Sequence, residues 1–153
     1  MVIAMFLAVL LAISTFLFHF AVLRWLSGSL ARVPMTNGIR ILVIVLAILA
    51  AHVVEVLMYA GAFTLAVEVV SIGGFGGRGA DTPLDYLYFS IVSFTSLGLG
   101  DVYPLGHLRL LTGIEALNGL LLIAWSGSFI YTAMERLWPW EPCAQPQNRK
   151  TDK

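Results

Sequence analysis

The sequence predicts an all-α membrane protein, on three observations. Of its 153 residues, 59% are hydrophobic and 12% charged, against about 45–50% and about 25% in an average soluble domain. Three apolar runs, each long enough to cross a bilayer, alternate with polar or glycine-rich breaks. Between the second and third runs lies a compact helix-start signal, followed by the loop Thr95-Ser96-Leu97-Gly98-Leu99-Gly100-Asp101. The net charge of zero gives no reason to expect a nucleic-acid partner. The single cysteine, Cys143, excludes a disulfide within the chain and reads as a free cytosolic thiol.

Residues 1–27 read as an N-terminal transmembrane helix, since the run from Val2 to Leu26 exceeds the roughly 20 residues that span a bilayer. A cleaved signal peptide would place basic residues ahead of a shorter apolar core, and here no Lys or Arg precedes Arg24. Residues 28–38, with Gly28, Pro34 and Asn37-Gly38, form a linker. The second helix is expected over 39–70, tilted or emerging near Glu68. Inside it His52 and Glu55 share a face, readable as a proton-sensitive pair or, preferably, as a hydrogen-bonded strut between helices. His19 reads as a polar contact near the inner leaflet.

Ser71 to Asp81, with Gly73-Gly74 and Gly76-Gly77, reads as a flexible loop. Thr82, Pro83 and Asp85 then suit the N-cap, first helical position and N3 of a short helix over 83–94, too short to span a bilayer. The third long helix is expected over 107–133, and 136–153 as a disordered tail. Arg24, Arg32 and Arg40 mark the first connection as cytoplasmic, as do Arg136, Arg149, Lys150 and Lys153 the tail. The N-terminus is then outside, Trp25, Trp138 and Trp140 anchor the inner interface, and only Arg78 and Arg109 lie at the outer side. The chain thus reads as three spans plus one re-entrant segment.

Glycine alternation lets the loop adopt positive φ at every second residue, so that successive carbonyl oxygens can face one side. A ring of such strands replaces the water shell of a cation. Irregular backbone at membrane depth survives only where protein buries it or a wet cavity lines it. Because the sequence has one such loop, several copies must surround a common axis, and cation conduction is the leading expectation.

The residues from Pro83 to about Glu135 resemble the pore module of tetrameric potassium channels, and most of all small bacterial potassium-channel-like proteins with one pore loop per subunit. The resemblance rests on Tyr88 to Asp101, Tyr103-Pro104, Arg109, Glu115 to Gly119, and His52-Val53-Val54-Glu55 on the preceding helix. It implies a pore module over 39–135, with outer helix 39–70, pore helix 83–94, selectivity filter 95–101 and inner helix 107–133, assembled as a homotetramer. By that similarity Ser96, Leu97, Gly98 and Leu99 would coordinate K⁺, with Gly100 completing the filter. Tyr88, Phe89, Thr95, Asp101 and Glu115 would support it, and Gly119 would be the gating hinge. The location implied is a bacterial inner membrane. Ser96 stands where threonine is usual and Leu99 where tyrosine is usual, so Tyr88 and Phe89 are expected to support the filter by packing alone.

The residues also allow blander roles. Asp101 reads as an anchor behind the filter with some vestibule effect, and Glu115 as a brace paired with Ser90, Ser93 or a backbone amide rather than an ion ligand. Gly113, Gly119 and Gly127 permit either bending or close packing, and Asn118 either faces the cavity or bonds between helices. No nucleophile motif, metal-ligand spacing or phosphate loop indicates an enzyme or a cofactor beyond permeant K⁺. The functions weighed are a passive potassium channel, a weakly selective monovalent cation channel of the same fold, and a non-conducting accessory or structural subunit.

Overall fold

The computed structural model describes residues 1–29 and 33–138. The middle of the first linker, with Arg32, and the chain from 139 onward, with Trp140, Cys143 and nearly all of the expected tail, lie outside the described residues.

Three helices are long and apolar enough to cross a membrane: α1 (Val2–Ser29), α2 (Asn37–Thr64, continued by a π-helical turn over Leu65–Val69) and α4 (Leu108–Leu137). α1 buries Ala4, Ala8, Thr15, His19, Leu23 and Leu26, a stripe recurring at three- and four-residue spacing that follows one face of a helix. Ala4 and Ala8 allow close backbone approach, as small residues do between helices in lipid. The opposite face leaves Phe6, Leu10, Ile13 and Leu17 exposed, in keeping with an integral membrane protein.

Between α2 and α4 sits the short helix α3 (Pro83–Phe94). Its start is a full capping box. The Asp85 amide donates to Thr82 Oγ1 at 3.3 Å, the Thr82 amide donates to Asp85 Oδ2 at 2.9 Å, and Pro83 opens the helix. The Thr82 side chain, foremost, holds the Asp85 carboxyl below its ordinary range. Phe89 and Phe94 of α3 lie in one buried cluster with Tyr59 and Phe63 of α2 and Leu108, Leu111 and Leu122 of α4.

The glycine-rich segment differs from the flexible loop expected. Gly73–Gly77 form β1, antiparallel to β2 (Val102–Gly106), with Gly73 opposite Gly106, Phe75 opposite Pro104 and Gly77 opposite Val102. The glycines serve close approach rather than freedom: a Cβ on Gly76 would meet the Tyr103 ring at 2.5 Å. Phe75 anchors the strand, its ring 4.6 Å from Phe89 and 5.7 Å from Phe63. The two strands bracket α3 and the loop after it, tying both ends of this segment together.

Candidate functional site

The loop after α3 begins by turning back on the helix. The amides of Thr95, Ser96 and Leu97 donate to the carbonyls of Ile91, Ser93 and Val92 at 3.1, 2.9 and 2.9 Å. The Thr95 hydroxyl also donates to Ile91 O, at 2.7 Å, so it caps α3. Positive φ then recurs at every second residue: 56° at Ser96, 58° at Gly98 and 80° at Gly100. With amides tied behind and handedness alternating, the carbonyls are left free. Among the described residues no donor reaches the carbonyl oxygens of Thr95 to Gly100. All six residues are exposed in the single chain. Ser96 holds a left-handed conformation without being glycine, at a cost of about 1–2 kcal/mol. Such strain persists where surrounding structure imposes it and clusters at functional sites.

Tyr88 corrects an expectation. It does not support the loop by packing alone: its hydroxyl donates to Asp101 Oδ2 at 2.8 Å. Asp101 also accepts the Arg78 amide on its backbone carbonyl at 2.9 Å, so it is anchored both from α3 and from the residue that follows β1. Neighbours on a helix point about 100° apart, and Phe89 faces Phe63 and Phe75 at 5.1 and 4.6 Å. Within the subunit it holds β1 against α3 and α2.

Glu115 is buried, and Ser90 Oγ lies 2.6 Å from its Oε1 and 2.9 Å from Val56 O. One hydroxyl hydrogen faces two acceptors. The arrangement is complete only when Glu115 carries a proton and donates it to Ser90, which then donates to Val56. Glu115 therefore pins α4 to the middle of α3 and to α2, behind the loop.

Gly119 lies where the Phe94 carbonyl and ring would meet a Cβ, within an unbroken α4. Glycine is needed there because the end of α3 touches the backbone of α4, so close packing alone accounts for the position. Asn118 bonds between helices: its Nδ2 donates to Thr15 Oγ1 of α1 at 2.7 Å and to the Tyr59 hydroxyl of α2 at 3.1 Å.

His52 Nδ1 meets Glu55 Oε2 at 2.8 Å, as the shared face foretells. His19 is fully buried, with its Nδ1 2.8 Å from Glu55 Oε1. The signal for this was present, since single polar residues in two apolar spans seek each other at matching depth. Two histidines and a carboxylate are side chains a metal could use, but here each Nδ1 faces a Glu55 oxygen at hydrogen-bonding distance and the group closes on itself.

A family model described as an ion channel matches residues 51–136, more than half of the chain, from the residue before His52 to the last turn of α4. α1 lies outside that match. No curated protein and no solved structure matches the chain.

Proposed function

The chain belongs to the ion channel family, and from that premise we propose that it is a passive potassium-selective channel of four subunits around one pore. As an ion channel it is a membrane transport protein and not an enzyme. The observation that carries the selective reading is the run of free carbonyls from Thr95 to Gly100, in a loop whose first amides, from Thr95 to Leu97, are tied back on α3. At membrane depth an unsatisfied carbonyl costs several kcal/mol. Four such loops facing one axis relieve that cost by coordinating dehydrated K⁺, with Ser96, Leu97, Gly98 and Leu99 forming the stacked sites and Gly100 the outer turn. The C-terminal end of α3 adds its negative dipole end at the inner mouth, favouring a cation in the cavity below.

The subunit sits with its N-terminus outside and its C-terminus in the cytoplasm, in a bacterial inner membrane on this reading. Arg24 near the end of α1, Arg40 at the start of α2 and Arg136 at the end of α4 fall at one face of the three spans, which the positive-inside rule makes cytoplasmic.

Reconstitution into liposomes under a potassium gradient tests the proposal. The expected result is a barium-sensitive flux, a bi-ionic reversal potential strongly favouring K⁺ over Na⁺, and a subunit count of four. A reversal potential near zero would leave the weakly selective cation channel, and no flux the accessory subunit.

The Tyr88–Asp101 bond supports the selective version, because it gives the loop an anchor that Leu99 lacks. Hydrogen bonds to charged groups contribute about 1.5–3 kcal/mol. Tyr88→Phe is therefore expected to preserve assembly but lower the K⁺/Na⁺ permeability ratio several-fold. An unchanged ratio in bi-ionic recordings would remove Tyr88 from the filter's support.

A further inference from the structure

The polar cluster on α1, α2 and α4, buried except for one edge of His52, is a closed ring of four contacts. His19 Nδ1 meets Glu55 Oε1 at 2.8 Å and His52 Nδ1 meets Glu55 Oε2 at 2.8 Å. On the far side of both imidazoles, His52 Nε2 and His19 Nε2 converge on Ser126 Oγ at 3.0 and 3.1 Å. The two rings stack with centroids 5.2 Å apart.

Each contact needs one hydrogen. A carboxylate supplies none, a hydroxyl one and a neutral imidazole one, so the side chains in their ordinary neutral-pH forms supply three. With three, one contact sets two lone pairs against each other at hydrogen-bonding distance, and the cluster holds an uncompensated negative charge inside the membrane. A fourth hydrogen completes every contact and brings the net charge to zero. It can sit on an imidazole or on the Glu55 carboxyl, which are two positions along one hydrogen bond. A fifth would find no lone pair within the ring.

Nothing else nearby supplies the missing charge. Among the described residues the only ion pairs are the two between Glu55 and these histidines, with no Lys or Arg in reach. α3 presents the Phe94 ring to His52, and α4 presents the Trp125 ring to His19. One turn away, Thr15 of α1 and Tyr59 of α2 are bonded to Asn118, and about three turns along α4 from Ser126, Glu115 faces Ser90.

We propose that the His19–Glu55–His52–Ser126 ring is a proton-binding site, which holds one proton as its ligand and with it joins α1 and α2 to α4. The bound proton completes the fourth contact, so a rise in pH that removes it leaves one of the four without a hydrogen. Because α1 lies outside the matched channel domain, the ring is a place where proton uptake reaches the pore module from the extra helix.

The test uses the full chain in lipid bilayers with ¹⁵N-labelled histidine, read by solid-state NMR. The sequence has three histidines, and His107→Gln removes the exposed third. At pH 8 a free imidazole, titrating near about 6.5, is almost wholly neutral. The expected spectrum at pH 8 shows a hydrogen on Nε2 of one of the two histidines, or shared between both, with the Nδ1 of that ring protonated as well or accepting from a protonated Glu55 carboxyl. An Nε2–H whose own Nδ1 is bare beside an ionised Glu55 is the three-hydrogen ring and would overturn the proposal. Ser126→Ala, which removes its acceptor, should abolish that Nε2–H signal, and Ser126→Thr should restore it. Bare Nε2 atoms on both histidines, with both Nδ1 atoms protonated, would overturn the proposal, as would an Nε2–H that persists in Ser126→Ala. Where Ser126→Ala fails to fold, the unsubstituted spectrum alone decides. The readout does not depend on ion flux, so failure of the ring and failure of the channel reading are distinguishable.

Discussion

Gly98→Asp is expected to reduce potassium flux to that of protein-free liposomes while the protein still folds and inserts. Gly98 has a φ of +58°, a conformation that costs a residue with a Cβ about 1–2 kcal/mol. Ser96 already bears that strain two residues earlier, so a second strained residue in the same short loop shifts the backbone and turns its carbonyls off the pore axis. In a four-fold assembly the change recurs in every subunit. Four carboxylates at the narrowest point would also bind cations too tightly to release them, whereas conduction needs sites from which ions leave. Within the subunit there is open space around Gly98 and the residue is exposed, so the folded core has no reason to be lost. Gly74→Ala is the control: Gly74 also has open space around it but has no positive φ, and flux should be unchanged. Normal cellular function with Gly98→Asp would favour the accessory-subunit reading.

The parts of this molecule that were legible in the sequence are those written in local code. Hydrophobic runs gave the three membrane-length helices, because a bilayer imposes one length and one polarity on any span. Thr82, Pro83 and Asp85 marked the start of α3, because capping is a contact between residues three apart. The alternation of glycine from Gly98 to Gly100 announced positive φ, which the backbone adopts there and, with added strain, at Ser96. Illegible were the contacts set by how elements meet. β1 reads as a flexible loop until Phe75 is seen wedged between Phe63 and Phe89. Tyr88 and Phe89 look equivalent in sequence but face different neighbours, one the Asp101 carboxylate and the other β1. His19 acquires its role only when α1 docks antiparallel on α2 and brings it level with Glu55.

These contacts repeat one physical theme. In lipid the hydrophobic effect does not distinguish one helix face from another, so polar contacts and small residues fix the register. Each junction here has its own: Asn118 with Thr15 and Tyr59, Glu115 with Ser90, and the histidine ring with Ser126. α4 takes part in all three, so the wall of the proposed pore is held from behind at three levels along its length.

Gly119→Ala is expected to destabilise the protein, by about 1–3 kcal/mol as for overpacking in a tight core, and to depress flux as a consequence. An added Cβ would run into the Phe94 carbonyl and ring. The carbonyl belongs to backbone at the last turn of α3, so relief requires moving the helix end that supports Thr95, Ser96 and Leu97. Flexible side chains give way cheaply; a helix end shared with the proposed filter does not. Gly113 and Gly127 of the same helix have open space around them, and alanine there should be neutral or stabilising, since glycine in a helix interior costs roughly 0.5–1 kcal/mol relative to alanine. Thermal unfolding of the three variants in detergent separates the two roles open to Gly119. A packing glycine gives a lower unfolding temperature for Gly119→Ala alone. A hinge gives unchanged or higher stability with altered opening, and that result would overturn the packing role argued from Phe94.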